Sequence, residues 1–341
     1  MDDDGVAPEE LVRQVAEEQT ETGRAALAAL AAAPVADRKA ATRELRELAE
    51  ERPGALAPVL PALVDLLTDE ERAIRLRTAK LFVAVARAEP DAAVPTVERL
   101  AERLADEEEF YYVRARSAEA LGYVALEHPE SVASPETLAD LRVGLEFDEP
   151  EVKEKLAKAL EYVALGDPDR LRHQVDRLAE HVDDDGDLVR YHLCTALVAV
   201  GCAYPERLAE ATEELGARLD DPEPQVRGRA AEAIGLVAGS GAEVDVPAGT
   251  LAALVDDEPF VAERARFAHD QSSGEDSTEQ SDADPDDPSS SPFGTLGAVR
   301  ESTESAVDEL TSPDVEGECP HCGLELPEQG PPMCPRCGAP R

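Results

Sequence analysis

One short cluster of residues returns six times along this chain at a nearly constant interval. Each copy has an acidic turn residue, followed by an apolar residue that opens a new apolar pattern. The six pairs are Asp69 and Ile74, Asp106 and Val113, Asp148 and Val152, Asp184 and Val189, Asp221 and Val226, and Asp257 and Val261. The apolar positions are 39, 39, 37, 37 and 35 residues apart. An interval of about 35 to 45 residues is typical of stacked helical repeats, so the chain is predicted to form a helical array.

Two helices are predicted in each repeat. With the apolar position as zero, small or apolar residues recur at offsets +5, +8 and +12, as at Ala118, Leu121 and Ala125. At ~100° per residue these offsets share one helical face. A first helix precedes each such second helix and has apolar residues four apart, such as Leu63 and Leu67 in the repeat of Ile74. Proline can end one helix and begin the next, and it marks the breaks between repeats at Pro90, Pro129, Pro168 and Pro205.

The start of the array is predicted in the same way. Residues 37–51 fit one further second helix, with Leu45 at offset +8, and residues 8–32 fit its first helix. Arrays need capping repeats at their ends. Residues 1–36 are therefore expected to cap an array that spans residues 37–269.

The repeat core resembles that of a known family. The stretch Asp220-Asp-Pro-Glu-Pro-Gln-Val-Arg-Gly-Arg-Ala-Ala-Glu-Ala-Ile-Gly-Leu-Val-Ala238 is similar to the short HEAT repeats of the bilin-lyase-like type, and residues 148–164 and 106–125 match it more loosely. This resemblance implies an all-α fold, a right-handed α-solenoid of HEAT-like helical pairs, with the second helices on its concave side. It does not fix an activity, because such arrays serve many roles.

Basic residues recur at two offsets on the second helices. Those at offset +1 are Arg75, Arg114, Lys153, Arg190 and Arg227. The resemblance implies that they form a structural ladder, each bonding the turn acid of its own or the next repeat. Those at offset +3, together called the basic stripe here, are Arg77, Arg116, Lys155, His192 and Arg229. Offset +3 lies roughly opposite the core, and Tyr123 and Tyr162 at offset +10 share that face.

The basic stripe has two interpretations. It forms a groove that binds an acidic peptide of a partner protein through charge and aromatic contact area. Alternatively, its charges are solvated and paired with neighbours such as Glu119 and Glu232. The sequence leaves both open.

The charge of the chain is strongly negative. Its 75 acidic and 33 basic residues give a net charge of −42, and only five of the basic residues are Lys. Acidic, lysine-poor composition keeps a protein solvated in molar salt, so a halophilic archaeon is the expected source, with an acidic mesophilic protein as the alternative. Phosphate backbones are repelled at ordinary salt, which argues against a nucleic-acid partner.

No segment has the length of a membrane span. The longest nearly apolar stretch, residues 25–36, is well short of the ~20 residues that a spanning helix needs. The first residues are acidic, whereas a signal peptide begins with basic ones. A cytoplasmic, monomeric protein without membrane contact is expected.

Four cysteines near the C-terminus carry the strongest chemical signal. Two C-x-x-C pairs, each followed by Gly, comprise Cys319, Cys322, Cys334 and Cys337. Four thiolates in tetrahedral geometry suit Zn²⁺, and residues 316–341 resemble a small zinc ribbon whose folding depends on the metal. A structural zinc ion is the predicted cofactor. An iron site like that of rubredoxin and a redox dithiol are the alternatives, and His321 is interpreted as a non-ligand.

The remaining segments have structural interpretations. Cys194 and Cys202 are eight residues apart on one predicted helix, ~12 Å along its axis, which is too far for a disulfide. Cys194 is therefore interpreted as a buried small residue.

Residues 270–315 are expected to form an acidic linker whose composition predicts disorder, with a short amphipathic helix over residues 295–310. This helix docks on the array or on a partner, or orders only on binding.

No catalytic constellation is found in the sequence. It has no nucleotide-binding glycine loop and no G-x-S-x-G motif, and its six His are scattered. The leading hypothesis is a non-enzymatic protein–protein interaction scaffold that uses the concave face and the tethered ribbon. The alternative is a transcription or translation factor that contacts nucleic acid through the ribbon, although Arg336 and Arg341 are its only basic residues. A bilin-lyase-like enzyme is a third hypothesis, based on the repeat resemblance alone.

Overall fold

The described part of the chain is built from helices. A computed structural model describes residues 8–17, 20–273 and 293–311, and in these ranges it has α-helices and 3₁₀ helices but no strand. They form two compact units. The first contains residues up to 148 together with 155–166, and the second contains residues 149–154 and those from 167 onward. The all-α prediction is confirmed.

The α-helices of the two units follow the repeat. The first unit contains α1 (Pro8–Ala16), α2 (Thr20–Leu30), α3 (Val35–Glu51), α4 (Pro53–Leu56), α5 (Arg72–Ala88), α6 (Pro90–Ala93), α7 (Val97–Ala105), α8 (Tyr111–Glu127), α9 (Pro129–Val132), α10 (Pro135–Val143) and most of α11 (Pro150–Gly166). The second contains the first turn of α11, α12 (Val175–Ala179), α13 (Asp187–Ala203), α14 (Thr212–Ala217), α15 (Pro224–Gly239), α16 (Ala248–Leu254), α17 (Pro259–Ser273) and α18 (Leu296–Thr311).

The predicted second helices are long and regular. α3, α5, α8, α11 and α13 each have 17 residues, and α15 and α17 have 16 and 15. The predicted core offsets are buried, as at Ala118, Leu121 and Ala125 of α8. Small side chains there leave room for the neighbouring helices.

The predicted first helices are not continuous. Most are a series of short α-helical and 3₁₀ turns, such as α4 followed by the 3₁₀ segment Ala57–Thr68, whereas the last is the single helix α16. Proline contributes to several of the breaks, because it lacks an N–H and its ring clashes with the preceding turn. Pro53 begins α4, and Pro61 lies inside the 3₁₀ segment. Leu63 and Leu67 are nevertheless buried as the pattern predicts.

The N-terminal prediction also needs correction. The single helix expected over residues 8–32 is divided into α1 and α2. Each has its own partner: α1 packs against α3, whereas α2 packs against the 3₁₀ segment Ala57–Thr68. Leu11 of α1 and Leu27 of α2 are buried in these contacts. Two apolar faces with different partners require two helix directions, so the chain breaks between them.

The offset +1 residues form the predicted ladder. In the second unit, Arg190 donates from Nε to Asp221 Oδ2 at 2.9 Å and from Nη2 to Oδ1 at 3.0 Å. Its Nη1 also donates to the backbone oxygen of Asp184 at 2.9 Å. Arg190 therefore joins its own turn to the turn of the next repeat. We call such links the ion-pair ladder.

The ladder recurs in both units. Arg227 pairs with Asp257 at 3.0 Å and Lys153 with Asp184 in the second unit. Arg75 pairs with Glu109 in the first unit at 2.8 Å. Arg38, which is at offset +1 of the earliest repeat, pairs with Asp69 at 2.7 Å. Bidentate guanidinium–carboxylate pairs of this kind fix geometry as well as charge.

Arg114 departs from this pattern. It donates from Nε to the backbone oxygen of Leu104, near the end of α7, at 2.8 Å. Its guanidinium lies over the ring of Phe147, 4.8 Å from the centroid. An aromatic ring therefore takes the place that a carboxylate has elsewhere, and a cation–π contact replaces the ion pair.

The turn acids have a second role. Asp221 Oδ1 accepts a hydrogen bond from the Glu223 N–H at 3.0 Å, and Asp184 Oδ1 accepts one from Gly186 N–H at 2.9 Å. Such contacts to the residue two positions on close the turn before the helix. One carboxylate therefore shapes its own turn and receives the cation of the preceding repeat.

Removal of one ladder carboxylate tests its contribution. Asp221→Ala leaves buried Arg190 without its countercharge, and we expect the free energy of unfolding to fall by about 3 kcal/mol. Glu102→Ala removes an exposed pair with Arg99 (2.8 Å) and is the matched control, with an expected loss of about 0–1 kcal/mol. Urea unfolding followed by circular dichroism measures both. Equal losses would contradict a structural role for the ladder.

Candidate functional site

The side chains of the basic stripe differ in their exposure to solvent. Arg77, Arg116 and Lys155 are half-buried in the first unit, whereas His192 and Arg229 are buried in the second. The expectation that offset +3 points away from the core is therefore wrong at the last two positions. Arg77 donates to the backbone oxygen of Lys39 at 3.4 Å, so it belongs to the contact between α3 and α5.

In the first unit, three cations converge on Glu119. Arg116 Nη1 donates to Oε2 of this carboxylate at 2.7 Å. The Nζ atoms of Lys155 and Lys158 lie 3.8 and 3.5 Å from its Oε1. Burial alone would raise the pKa of Glu119, but the two lysines and Arg116 more than offset it and hold the pKa far below its usual range. The carboxylate therefore stays charged and fixes the three cations.

The two predicted tyrosines form a pair beside this cluster. The Tyr123 and Tyr162 rings have their centroids 5.1 Å apart at an interplanar angle of 57°. Lys158 Nζ donates to the Tyr123 hydroxyl at 2.9 Å and lies 4.9 and 5.5 Å from the two ring centroids. Tilted rings with a cation against their faces are mutually stabilising. Both rings are half-buried, so part of each faces solvent.

Lys158 is the member of this cluster that the sequence analysis missed. It lies at offset +6, outside the offsets that were followed. A signal was nevertheless present, since three of the five lysines of the chain are within six residues, at Lys153, Lys155 and Lys158. Glu119, by contrast, was predicted as a pairing neighbour, and that interpretation is confirmed for Arg116 and Lys155.

A close helix contact brings the tyrosines together. A Cβ atom added at Gly122 would lie 2.8 Å from the Ala159 Cα atom, closer than real Cβ contacts allow. The contact between α8 and α11 therefore requires glycine on one side and a small residue on the other. It places Tyr123 and Tyr162, which follow on each helix, within ring-contact distance.

In the second unit, Arg229 is the centre of a buried polar network. Its Nη1 donates to Glu232 Oε2 at 2.9 Å, and Arg264 Nε donates to the same oxygen at 3.1 Å. Its Nη2 reaches the Tyr191 hydroxyl at 3.3 Å. Burial disfavours the cation, but Tyr191 and Glu232 together hold the pKa of Arg229 above its usual range. The predicted pairing with Glu232 is confirmed.

Helix α18 covers this network. It contacts α13, and Arg229 Nη2 donates to the Ser302 hydroxyl at 3.0 Å and to Thr303 Oγ1 at 3.3 Å. The short helix expected over residues 295–310 is thus present as Leu296–Thr311 and docks on the array. The sequence could not show that it lies over Arg229, because some 70 residues separate the partners.

Cys194 and Cys202 have no sign of chemical activation. Burial raises the pKa of each thiol to about 12. Both are free thiols, and Cys194 is buried, as the sequence predicts. The thiol form, which is a poor nucleophile, therefore dominates at neutral pH.

The predicted metal ligands lie beyond the described residues. Cys319, Cys322, Cys334 and Cys337 belong to residues 312–341, which are outside the described ranges. Within those ranges, no group of three or more His, Cys, Asp or Glu could hold a metal ion. None of the helices described is long and apolar enough to cross a membrane.

Comparisons with known proteins agree with the fold. The family model described as HEAT repeats matches residues 97–198, a range that contains the Glu119 cluster and the tyrosine pair. Among curated proteins, none matches this chain.

Several solved structures of engineered proteins are similar to the chain. Northeast Structural Genomics Consortium target OR497 is 19% identical, covers 90% of this chain and 85% of its own, and has a TM-score of 0.58. Target OR329 is 21% identical, with coverages of 63% and 96% and a TM-score of 0.57. The designed armadillo repeat protein YIII(Dq)4CqI is 18% identical, with coverages of 62% and 99% and a TM-score of 0.55. The chain thus has a HEAT- and armadillo-like α-solenoid fold, and its right-handed sense stays a prediction.

A glycine substitution tests the close helix contact. Gly122→Ala forces α8 and α11 apart, and we expect a loss of about 1–3 kcal/mol in stability and a separation of the tyrosine rings. Gly216→Ala, where an added Cβ meets nothing within 4 Å, is the matched control and should be neutral or stabilising by up to about 1 kcal/mol. Thermal unfolding and near-ultraviolet circular dichroism report the two effects. A Gly122→Ala protein as stable as the control would contradict the contact.

Proposed function

We propose that this protein is a non-enzymatic protein–protein interaction scaffold. The observation that carries the proposal is the half-buried pair of Tyr123 and Tyr162, held by Lys158 on the face of the second helices. Two rigid aromatic rings offer a large contact area at low entropic cost, which is typical of protein-binding surfaces. HEAT and armadillo arrays have an interaction architecture, and here the pair lies within the matched repeats.

The proposed partner is a peptide segment with acidic side chains beside an apolar one. Arg116, Lys155 and Lys158 are fixed by Glu119 at the edge of the tyrosine pair. Cations that are already ordered bind a carboxylate with little further loss of side-chain entropy. The remaining surface of a chain with a net charge of −42 repels acidic segments. An acidic peptide is therefore directed to these three cations, which also set its register and its orientation on the surface.

Labelled peptides test this proposal. Fluorescein-labelled octapeptides of Asp, Glu and Leu are the probe, with Lys and Arg versions as the opposite charge. We expect the acidic peptides to bind the full chain and Tyr123→Ala to weaken binding at least tenfold, measured by fluorescence anisotropy. Tyr204→Ala, another half-buried tyrosine that bonds Asp169 at 2.6 Å, is the matched control and should change affinity less than twofold. Equal binding of basic peptides, or no effect of Tyr123→Ala, would refute the acidic-peptide site.

The ribbon is proposed as a second, tethered contact of the scaffold. Cys319, Cys322, Cys334 and Cys337 supply four thiolates, the donor set that structural Zn²⁺ prefers. Such a metal would supply folding energy that 26 residues cannot obtain from a hydrophobic core. A second weak contact on a linker then raises the overall affinity through effective concentration.

Metal analysis tests the ribbon. We expect one zinc ion per chain by elemental mass spectrometry, lost in Cys334→Ser and kept in the matched control Cys202→Ser. Helix content should be the same in both variants, because the repeats are held by their own core. A visible charge-transfer band from iron, or full zinc content in Cys334→Ser, would overturn this assignment.

A further inference from the structure

Helix α18 lies on the second unit as a ligand lies in a groove. Its buried residues are Val299, Thr303 and Ala306, with exposures of 0, 5 and 1%. Spacings of four and three residues put them on one helical face. We propose that this surface of α13 and α15 is a helix-binding groove from which α18 can be displaced. The external partner is an amphipathic helix with the same pattern of small apolar and hydroxyl residues.

Polar and aromatic contacts hold α18 and the turn that leads into it. Gly294 N–H donates to Glu232 Oε1 at 3.3 Å, and the Arg264 guanidinium lies 4.9 Å from the Phe293 ring centroid. Arg229 Nη2 donates to the Val299 backbone oxygen at 3.3 Å, as well as to the hydroxyls of Ser302 and Thr303. Gln225 Nε2 donates to Glu309 Oε2 at 2.9 Å. A different helix with a hydroxyl pair and a carboxylate almost two turns further on would offer the same acceptors. These contacts therefore define the chemistry of the partner.

The buried charges of the groove keep their ion-pair partners when α18 leaves. Arg229 keeps its ion pair with Glu232 and its contact with the Tyr191 hydroxyl, and Glu232 keeps Arg264. No buried charge loses its countercharge, which would otherwise make departure costly. These pairs join residues of α13, α15 and α17, and Glu232 also accepts a hydrogen bond from Gly294 N–H at 3.3 Å. The pairs present a largely preformed surface to a second helix.

The apolar anchoring of α18 is small compared with that of the array. Three of its 16 residues are buried, whereas 14 of the 17 residues of α13 are. A helix with so little buried surface opens separately from the core to which it is docked. The unit can therefore lose α18 and keep its fold.

A tight turn and a tether keep α18 near the groove. Gly294 has φ +78°, and an added Cβ there would lie 3.0 Å from Phe267 Cζ, so glycine is required where the chain enters α18. Residues 274–292 join it to α17 in the same chain. Docking of α18 is therefore intramolecular, with an effective concentration on the order of millimolar. For an external helix, the apparent Kd then equals the intrinsic Kd divided by the fraction of protein from which α18 has left the groove.

The test releases α18 in the full chain and supplies it again in trans. Val299→Asp puts a charge into the docked face, and Ser305→Asp puts the same charge on an exposed position of the helix. The probe is a labelled synthetic peptide of residues 293–311. We expect it to bind Val299→Asp at least tenfold more tightly than the wild type, and Ser305→Asp to behave like the wild type.

Hydrogen exchange makes the outcomes decisive. In the wild type, we expect the amides of α18 to exchange at least a hundredfold faster than those of α13. In Val299→Asp, we expect the amides of α18 to lose their protection while those of α13 keep theirs. Thr303→Arg, which places a second cation against Arg229, is an independent release variant. The proposal fails if neither variant releases α18, if the peptide does not bind a released variant, or if both variants unfold the array. Because this groove is separate from the tyrosine pair, acidic-peptide binding and its Tyr123→Ala effect are unaffected by either result.

Discussion

The ion pair between consecutive repeats is the interaction on which the rest of the structure depends. In most of the second helices, a cation near the start reaches a turn carboxylate of the next repeat, and acids such as Asp221 also close their own turn. The pair of Arg190 and Asp221 has side-chain exposures of 8 and 0%. A buried pair adds little net stability over an apolar contact, but a misplaced one is strongly unfavourable. The ladder thus fixes the register between neighbouring repeats.

A fixed register has a direct consequence for the face that carries the basic stripe. Offset +3 falls on the same face of every second helix, so residues 35 to 39 positions apart become neighbours. The two units use this face differently. In the first, Glu119 gathers three cations beside the tyrosine pair, and in the second α18 lies over Arg229. The same offset therefore gives two unlike surfaces in the two units.

Sequence patterns predicted the parts that depend on near neighbours. The second helices, the buried offsets and the ladder follow from side chains within one repeat or the next. The leucine spacing predicts continuous first helices. Proline residues such as Pro61 nevertheless interrupt the backbone hydrogen bonds, whatever the apolar pattern. The burial of Arg229 depends on a helix some 70 residues away, and no periodicity carries that information. Lys158 was not predicted because it lies at offset +6, where the repeats have acidic and uncharged as well as basic residues, so that no regular pattern marks the position.

The burial of the ladder also decides how the protein responds to ionic strength. At 1 M salt the screening length is only about 3 Å, so exposed pairs such as Arg99 with Glu102 lose most of their attraction. Ions cannot enter between Arg190 and Asp221, because the pair is shut off from solvent. Concentrated electrolyte therefore weakens the exposed pairs far more than the link between Arg190 and Asp221. That link would hold the register of its two repeats at molar salt, where the surface pairs no longer contribute.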